Sequence, residues 1–202
     1  MLTRPSPPTA PMTVTALSVI HAEHAALAAM LRSLLLLLEQ TRQRNELPDF
    51  ALLRAMLFYV DEFPERLHHR KEDELLFPLV REHCPELAAT LDQLEREHAH
   101  GERAIRDLEH ALLAYEVLGE ARRVAFEQAA QAYVDFYLRH MAVEESQVLP
   151  AAQRALDAAD WATIDAAFAT NRDPLTGHQS DDVYLPLFTR IVNRAPAPLG
   201  LG

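Results

Sequence analysis

The sequence predicts an all-α fold: an antiparallel, up-down-up-down four-helix bundle with a short helical C-terminal extension. Three observations predict it. Only 5 of 202 residues are Gly, set against long Ala, Leu, Glu and Arg tracts that favour helix. A unit is also duplicated. His68-His69-Arg70-Lys71-Glu72 to Leu76-Phe77-Pro78 returns 72 residues later as His140-Met141-Ala142-Val143-Glu144 to Val148-Leu149-Pro150. Upstream, Glu23-His24 returns as Glu97-His98 and Tyr59-Val60-Asp61 as Tyr133-Val134-Asp135, both 74 residues later. The first copy therefore carries two extra residues before its His, near Glu62-Phe63-Pro64, and the whole reads as a duplicated helical hairpin. Finally, the breaks between periodic stretches are short, so successive helices should be antiparallel neighbours.

Each element follows from local pattern. Residues 1–14 hold Arg4-Pro5-Ser6-Pro7-Pro8 and Pro11 without apolar periodicity, and read as a disordered leader. Helix 1 starts near Thr15 or Ser18 and runs to about Gln43. Leu17, Ile20, His24, Leu27, Leu31, Leu34 and Leu38 form one stripe at spacings of three and four, with His24 inside it. Asn45 to Asp49, with Pro48, is a turn. Helix 2 runs from about Phe50 to Glu82, with a kink expected at Pro64 and a kink or break at Pro78. Pro85 opens helix 3, which continues to Leu118 with Gly119 as its cap. Helix 4 runs from Glu120 to Ala158, disturbed near Pro150. Residues 15–158 thus make the bundle and 159–202 the extension. In the extension, Asp160 to Thr170 reads as a helix capped by Asp160, with Trp161, Ile164 and Phe168 inward. Asn171 to Gly177 reads as a loop, and Asp181 to Asn193 as a last helix with Val183, Leu187 and Ile191 on one side.

The totals narrow the function. A formal net charge of −11 argues against nucleic acid or an anionic membrane as partner. Cys84 is the only cysteine, so no intramolecular disulfide forms, which fits a reducing, cytoplasmic setting. The most apolar run, Leu34 to Leu38, is too short to span a bilayer, and the N-terminus lacks the basic-then-apolar pattern of a secretory signal.

Chemistry concentrates on histidines and carboxylates one helical turn apart. His68 and Glu72, His98 and Glu102, and His140 and Glu144 each lie at i and i+4, on one helix face. A lone pair of this kind is ordinarily a solvated surface pair. Three of them, in helices that also duplicate, point to metal, because burying so many polar groups without a cation is costly. With His24 they make seven nitrogen or oxygen ligands: His24, His68, Glu72, His98, Glu102, His140 and Glu144. One ion rarely needs seven; two ions bridged by carboxylates use them well. Such a set suits iron, manganese or zinc, which the sequence does not separate.

The other groups read more plainly. His69 competes with His68, although the repeat favours His68. His21 reads as a residue behind the ligands or along a channel, and His83, His100, His110 and His178 as surface residues. Arg70-Lys71-Glu72-Asp73-Glu74 reads as a solvated face apart from Glu72. Phe58, Tyr59, Phe63, Phe77, Tyr133, Phe136 and Tyr137 read as core packing, the alternative being one tyrosine hydroxyl at the metals.

The segments from His68 to Pro78, Glu97-His98, and His140 to Pro150 resemble the hemerythrin-like, HHE cation-binding proteins of bacteria. The resemblance covers about residues 15–158, and the tail around Asn171-Arg172-Asp173-Pro174-Leu175 is similar to one carried by some bacterial members. It implies a non-haem di-iron centre, with His24, His68, Glu72, His98, His140 and Glu144 matching family ligands and Glu102 standing where oxygen carriers have a histidine. The implied partner is a small diatomic molecule or peroxide, and the implied role is binding or sensing oxygen, peroxide, nitric oxide or iron. The alternative is a di-iron enzyme, such as a peroxidase or an iron–sulfur cluster repair protein. Repair ranks lower: the leader lacks Cys, and Leu35 to Asn45 lacks the additional histidine of such proteins. A metal-free structural bundle is the third reading.

Overall fold

The computed structural model describes residues 15–178 and 181–201; the expected disordered leader lies outside them. Helix α1 (Ala16–Arg44) opens on a reciprocal cap in which the Thr15 hydroxyl accepts the Ser18 N–H and the Ser18 hydroxyl accepts the Thr15 N–H. It closes on Asn45, at φ 54°, one of the few residue types that tolerates left-handed backbone. α1 is long and apolar enough to cross a membrane, but 56% of its apolar window is buried inside the bundle.

The second rod is one continuous helical path: α2 (Phe50–Val60), a π-helical run Asp61–His68, α3 (His69–Lys71), a π turn Glu72–Leu76 and α4 (Phe77–His83). α5 (Ala88–Leu118) is the third rod. The fourth is α6 (Arg123–Val143), a π turn Glu144–Val148 and α7 (Leu149–Ala155). The prolines explain the π turns. Proline lacks an N–H and its ring crowds the carbonyl four residues back. The chain widens instead of breaking: the His69 N–H reaches Pro64 O, the Phe77 N–H reaches Glu72 O before Pro78, and the Leu149 N–H reaches Glu144 O before Pro150. The expected kinks are π turns, and the run around Pro64 absorbs the two extra residues of the first copy.

α1 packs on the second rod and on α6, and α5 packs on the other two sides of the same pair, closing an all-α bundle. The four rods alternate in direction. One apolar cluster gathers the start of α1 and α5 with the ends of the second and fourth rods, through Ile20, Leu91, Phe77 and Leu149. The other gathers the opposite ends, through Leu34, Leu52, Leu112 and Phe126.

The extension folds back on this bundle. α8 (Ala158–Phe168) packs on α1 and α9 (Leu185–Arg194) on α2. Asp157, not Asp160, caps α8, accepting from the Ala159 and Asp160 N–H groups while Asp160 returns the bond. Ile164 and Phe168 are fully buried. α9 buries Phe188 and Ile191, whereas Val183 precedes the helix and is 77% exposed.

Candidate metal centre

Between the two apolar clusters lies a polar layer. Its members are His24 of α1, His68, His69 and Glu72 of the second rod, His98 of α5, and His140 and Glu144 of the fourth rod. None is more than 4% exposed. His68 Nε2 lies 3.1 Å from Glu72 Oε1, His140 Nε2 3.2 Å from Glu144 Oε1, and His24 Nε2 3.4 Å from Glu144 Oε2. His98 Nε2 lies 3.0 Å from His140 Nε2 and 3.6 Å from Glu72 Oε2. Donor atoms of His24, His68 and Glu72 fall within 4.8 Å of one another, as do those of His69, His98 and His140, and those of Glu72, His98 and Glu144. The layout is two histidine groups with two carboxylates between them.

These residues fit a metal. Nε2 of His24 and of His68, and both carboxylate oxygens of Glu72 and of Glu144, are buried without a hydrogen-bond partner. Each orphaned group costs about 1–3 kcal/mol, and more when charged. A cation shared by these atoms removes that cost, and imidazole mixed with carboxylate is the donor set of iron, manganese and zinc.

Behind each imidazole stands a second carboxylate. His68 Nδ1 meets Glu23 at 2.6 Å, His140 Nδ1 meets Glu97 at 2.9 Å, His98 Nδ1 meets Asp73 at 2.8 Å, and His24 Nδ1 meets Glu145 at 3.1 Å. His69 Nδ1 meets Glu65 at 3.2 Å. A carboxylate accepts, so each pair places Nδ1–H outward; on metal binding, with the Nε2 proton displaced, this would leave the Nε2 lone pair for the centre and make it a stronger donor. The outer ring has the symmetry of the repeat. Glu23 and Glu97 bond the histidine of the next rod in their own hairpin; Asp73 and Glu145 each reach the other hairpin.

The carboxylates also draw protons to the site. Burial lowers the affinity of His98 for a proton, but the hydrogen bonds to Asp73 and Glu144, with the charge of Glu72, outweigh it and raise its pKa to about 9. At His140, Glu144 and Glu97 likewise overcome burial and raise it to about 10. His69 goes the other way, lowered by burial and by the neighbouring His98 and His68. A metal ion competes with these protons, so its uptake releases them.

Six of the seven expected residues meet here: His24, His68, Glu72, His98, His140 and Glu144. Glu102 does not. Its side chain is 53% exposed, 4.0 Å from Arg106. Residue i+4 of a regular α-helix sits about 40° round from residue i, and on the uninterrupted α5 this rotation carries Glu102 to the solvent flank. His69 takes the seventh place, stacked on His98 with ring centroids 4.2 Å apart. Tyr133 and Tyr137 donate to Glu65, the first at 2.8 Å, and reach no further. Asp73 and Lys71 are not simply solvated: Asp73 holds His98, and Lys71 donates to Ala167 O and Thr170 Oγ1, both at 2.9 Å, and to Asn171. The outer ring had a signal in the sequence, an acidic residue beside two of the three repeated ligand pairs: Glu23-His24 and Glu97-His98, and Glu72-Asp73 and Glu144-Glu145.

The extension reaches the centre as well. Asn171 Nδ2 donates to both oxygens of Glu23, at 2.9 and 2.8 Å, and so holds the carboxylate that holds His68. Tyr59 donates its hydroxyl to Asp173 at 2.6 Å. Compared with known families, residues 15–152 match the model described as hemerythrin HHE cation binding domain. No curated protein matches the chain.

Proposed function

The chain belongs to the hemerythrin HHE cation-binding family, and on that premise we propose that it is a non-haem di-iron protein that binds or senses a small ligand such as dioxygen, peroxide or nitric oxide. The observation that carries this reading is the set of orphaned atoms. Nε2 of His24 and of His68 and both oxygens of Glu72 and of Glu144 are buried without a hydrogen-bond partner, opposite His69, His98 and His140. His24 and His68 would hold one ion, and His69, His98 and His140 the other. Glu72 and Glu144 would lie between them. An iron pair would supply exchangeable coordination positions and a ferrous/ferric couple.

The chain's own residues bias that chemistry. Five carboxylates behind five imidazoles make the ligands more basic and favour the higher oxidation state. That favours sensing or reaction over reversible oxygen carriage. The apolar clusters above and below keep bulk water from the layer.

The test is elemental analysis of anaerobically purified protein, followed by optical spectra with and without oxygen. Two irons per chain, with charge-transfer bands that change on oxidation, is the expected result. A chain that carries no metal and takes up none in metal-free form would sink the proposal. Zinc alone would sink its redox part.

A further inference from the structure

The family match ends at residue 152, yet residues beyond it are built onto one ligand of the centre. The contacts come from the end of α8 and from a strap of residues 171–173. The Phe168 ring stands edge-on to His68, with centroids 5.8 Å apart. Asn171 Nδ2 donates to both oxygens of Glu23, the carboxylate that accepts from His68 Nδ1 at 2.6 Å. Lys71, beside Glu72, donates to Ala167 O, Thr170 Oγ1 and Asn171 Oδ1. The last bond fixes which way the Asn171 amide faces. In the second copy the equivalent carboxylate, Glu97, accepts instead from Gln93 of its own helix. The elements on either side of the strap have anchors of their own. Asp165 of α8 accepts the Ala16 N–H of α1 at 2.6 Å, and Ile164 is fully buried. α9 packs on α2 and buries Phe188 and Ile191.

We propose that the strap is a metal-responsive element, seated when the His24–His68 side of the centre holds an ion and loosened when it does not. This deepens the metal-binding reading and rests on it. The cause lies in the orphaned atoms. An ion shared by His68 Nε2 and Glu72 satisfies both and fixes the imidazole in the orientation that offers Nδ1–H to Glu23. Without one, the same atoms stay buried and unpaired, which is costly. Turning the His68 ring or admitting water lowers that cost. Either change disturbs the group on which Glu23, and through it Asn171, is seated. The coupling is reciprocal, so a seated strap also tightens the hold on the ion. Because α8 and α9 are anchored elsewhere, the loosening stays local. Exposure of residues 169–177 then reports whether an ion is held.

Hydrogen exchange read by mass spectrometry tests this on the full chain, stripped of metal and then reloaded anaerobically with ferrous iron, with iron counted in both forms. The Asn171, Leu175 and Thr176 N–H groups are hydrogen-bonded, so the segment has protection to lose. Stripping is expected to speed exchange over residues 169–177 about tenfold. Residues 105–112 of α5 and 187–194 of α9 should keep their rates. Asn171→Leu should exchange fast in both forms, and Lys71→Met should show a smaller response than wild type. Gln93→Leu, at the equivalent place in the second copy, should respond as wild type does. The proposal is overturned if residues 169–177 exchange alike in the two forms, or if Asn171→Leu keeps the full response. It is also overturned if 105–112 and 187–194 speed up as much as the strap, since the loss is then general. A chain that takes up no metal overturns the metal-binding reading and this inference with it. A loaded chain whose strap is indifferent to stripping overturns this inference alone.

Discussion

The two hairpin copies build the centre almost as mirror partners. His24 and His98 occupy one repeat position, His68 and His140 another, Glu72 and Glu144 a third. Glu23 and Glu97 hold the imidazoles of their own hairpins, and Asp73 and Glu145 cross over to the other. Against that symmetry four differences stand out. The first copy has His69 where the second has Met141, and Glu65 where the second has Tyr137. It has Leu27 where the second has Gly101. Only the first copy touches the extension through Asn171. The shared residues are those that the proposed pair of ions would need. The unshared ones make the two histidine groups unequal, one walled by the strap of residues 171–173 and one packed against Glu65 and Tyr137.

The largest effect tests the symmetric part. Glu72→Ala and Glu144→Ala each remove a buried carboxylate that faces both histidine groups. Both variants are expected to lose ions, read as metal per chain, and with them the stability that binding lends the native state. If Glu144→Ala keeps a full complement while Glu72→Ala does not, the copies are not equivalent. If both keep it, the carboxylates are not ligands.

Next comes the outer ring. Glu23→Gln and Glu97→Gln should each weaken metal binding by roughly 10–100-fold, the usual effect of removing a carboxylate behind a ligating imidazole. Competition with a chelator measures it. Glu23 should sit at the upper end, because it is 8% exposed, whereas water can replace part of Glu97 at 22% side-chain exposure. Asn171→Leu separates the copies. It removes the donor to Glu23 and should cost about tenfold, releasing metal faster from the His68 side. Equal release from both ion positions would detach the strap from the centre.

Much of this was legible before any coordinates. Periodicity, capping residues and prolines located the four rods, because each is a local signal. The duplicated His-x-x-x-Glu units and the repeated Glu-His pair together located six of the seven converging donors, because both are local patterns on a helix. Glu102 failed because spacing alone does not say which flank of a straight helix faces the axis. His69 was set aside because the repeat register pointed to His68. The extra residues before them are taken up by the π-helical run Asp61–His68, and its wider turns bring both imidazoles inward. No local pattern could place Asn171 on Glu23, 148 residues away.

The strap also makes one copy pH-sensitive. Tyr59 and Tyr133 are repeat partners, but Tyr59 donates to Asp173 and Tyr133 to Glu65. Burial raises the Asp173 pKa to about 6, against the opposing hydrogen bonds from Tyr59 and Leu175. A carboxyl with a raised folded pKa favours the native state most when protonated. Its contribution is full below about pH 4 and is lost as pH rises through about 6, at most about 3 kcal/mol for a shift of two units. Asp173→Asn keeps the neutral form at every pH. The stability of this variant relative to wild type, from urea unfolding, should therefore rise between about pH 4.5 and 7 and then flatten. A difference constant across that window would mean that Asp173 titrates normally.

The smallest effect is at Gly101, the partner of Leu27. A Cβ there would run into the Tyr137 hydroxyl and come within 2.9 Å of Glu65 Oε1. Overpacking of this kind costs about 1–3 kcal/mol, but an alanine in mid-helix regains about 1 kcal/mol over glycine. The clash extends to the ring carbon that carries the hydroxyl, on a buried ring held by Glu65, so the cost should fall in the upper part of its range. The net for Gly101→Ala is then a loss of about 2 kcal/mol, seen as a drop in melting temperature. The clash has a second consequence, because Tyr137 is stacked on His69 with centroids 5.6 Å apart. The variant should disturb the His69–His98–His140 group and leave the His24–His68 group alone, so a chelator should release metal faster from the first side only. A Gly101→Ala protein that is more stable than wild type would show that the glycine is not kept for close packing. One that releases metal equally fast from both sides would show that the two histidine groups are not as separate as the unshared residues of the two hairpins make them.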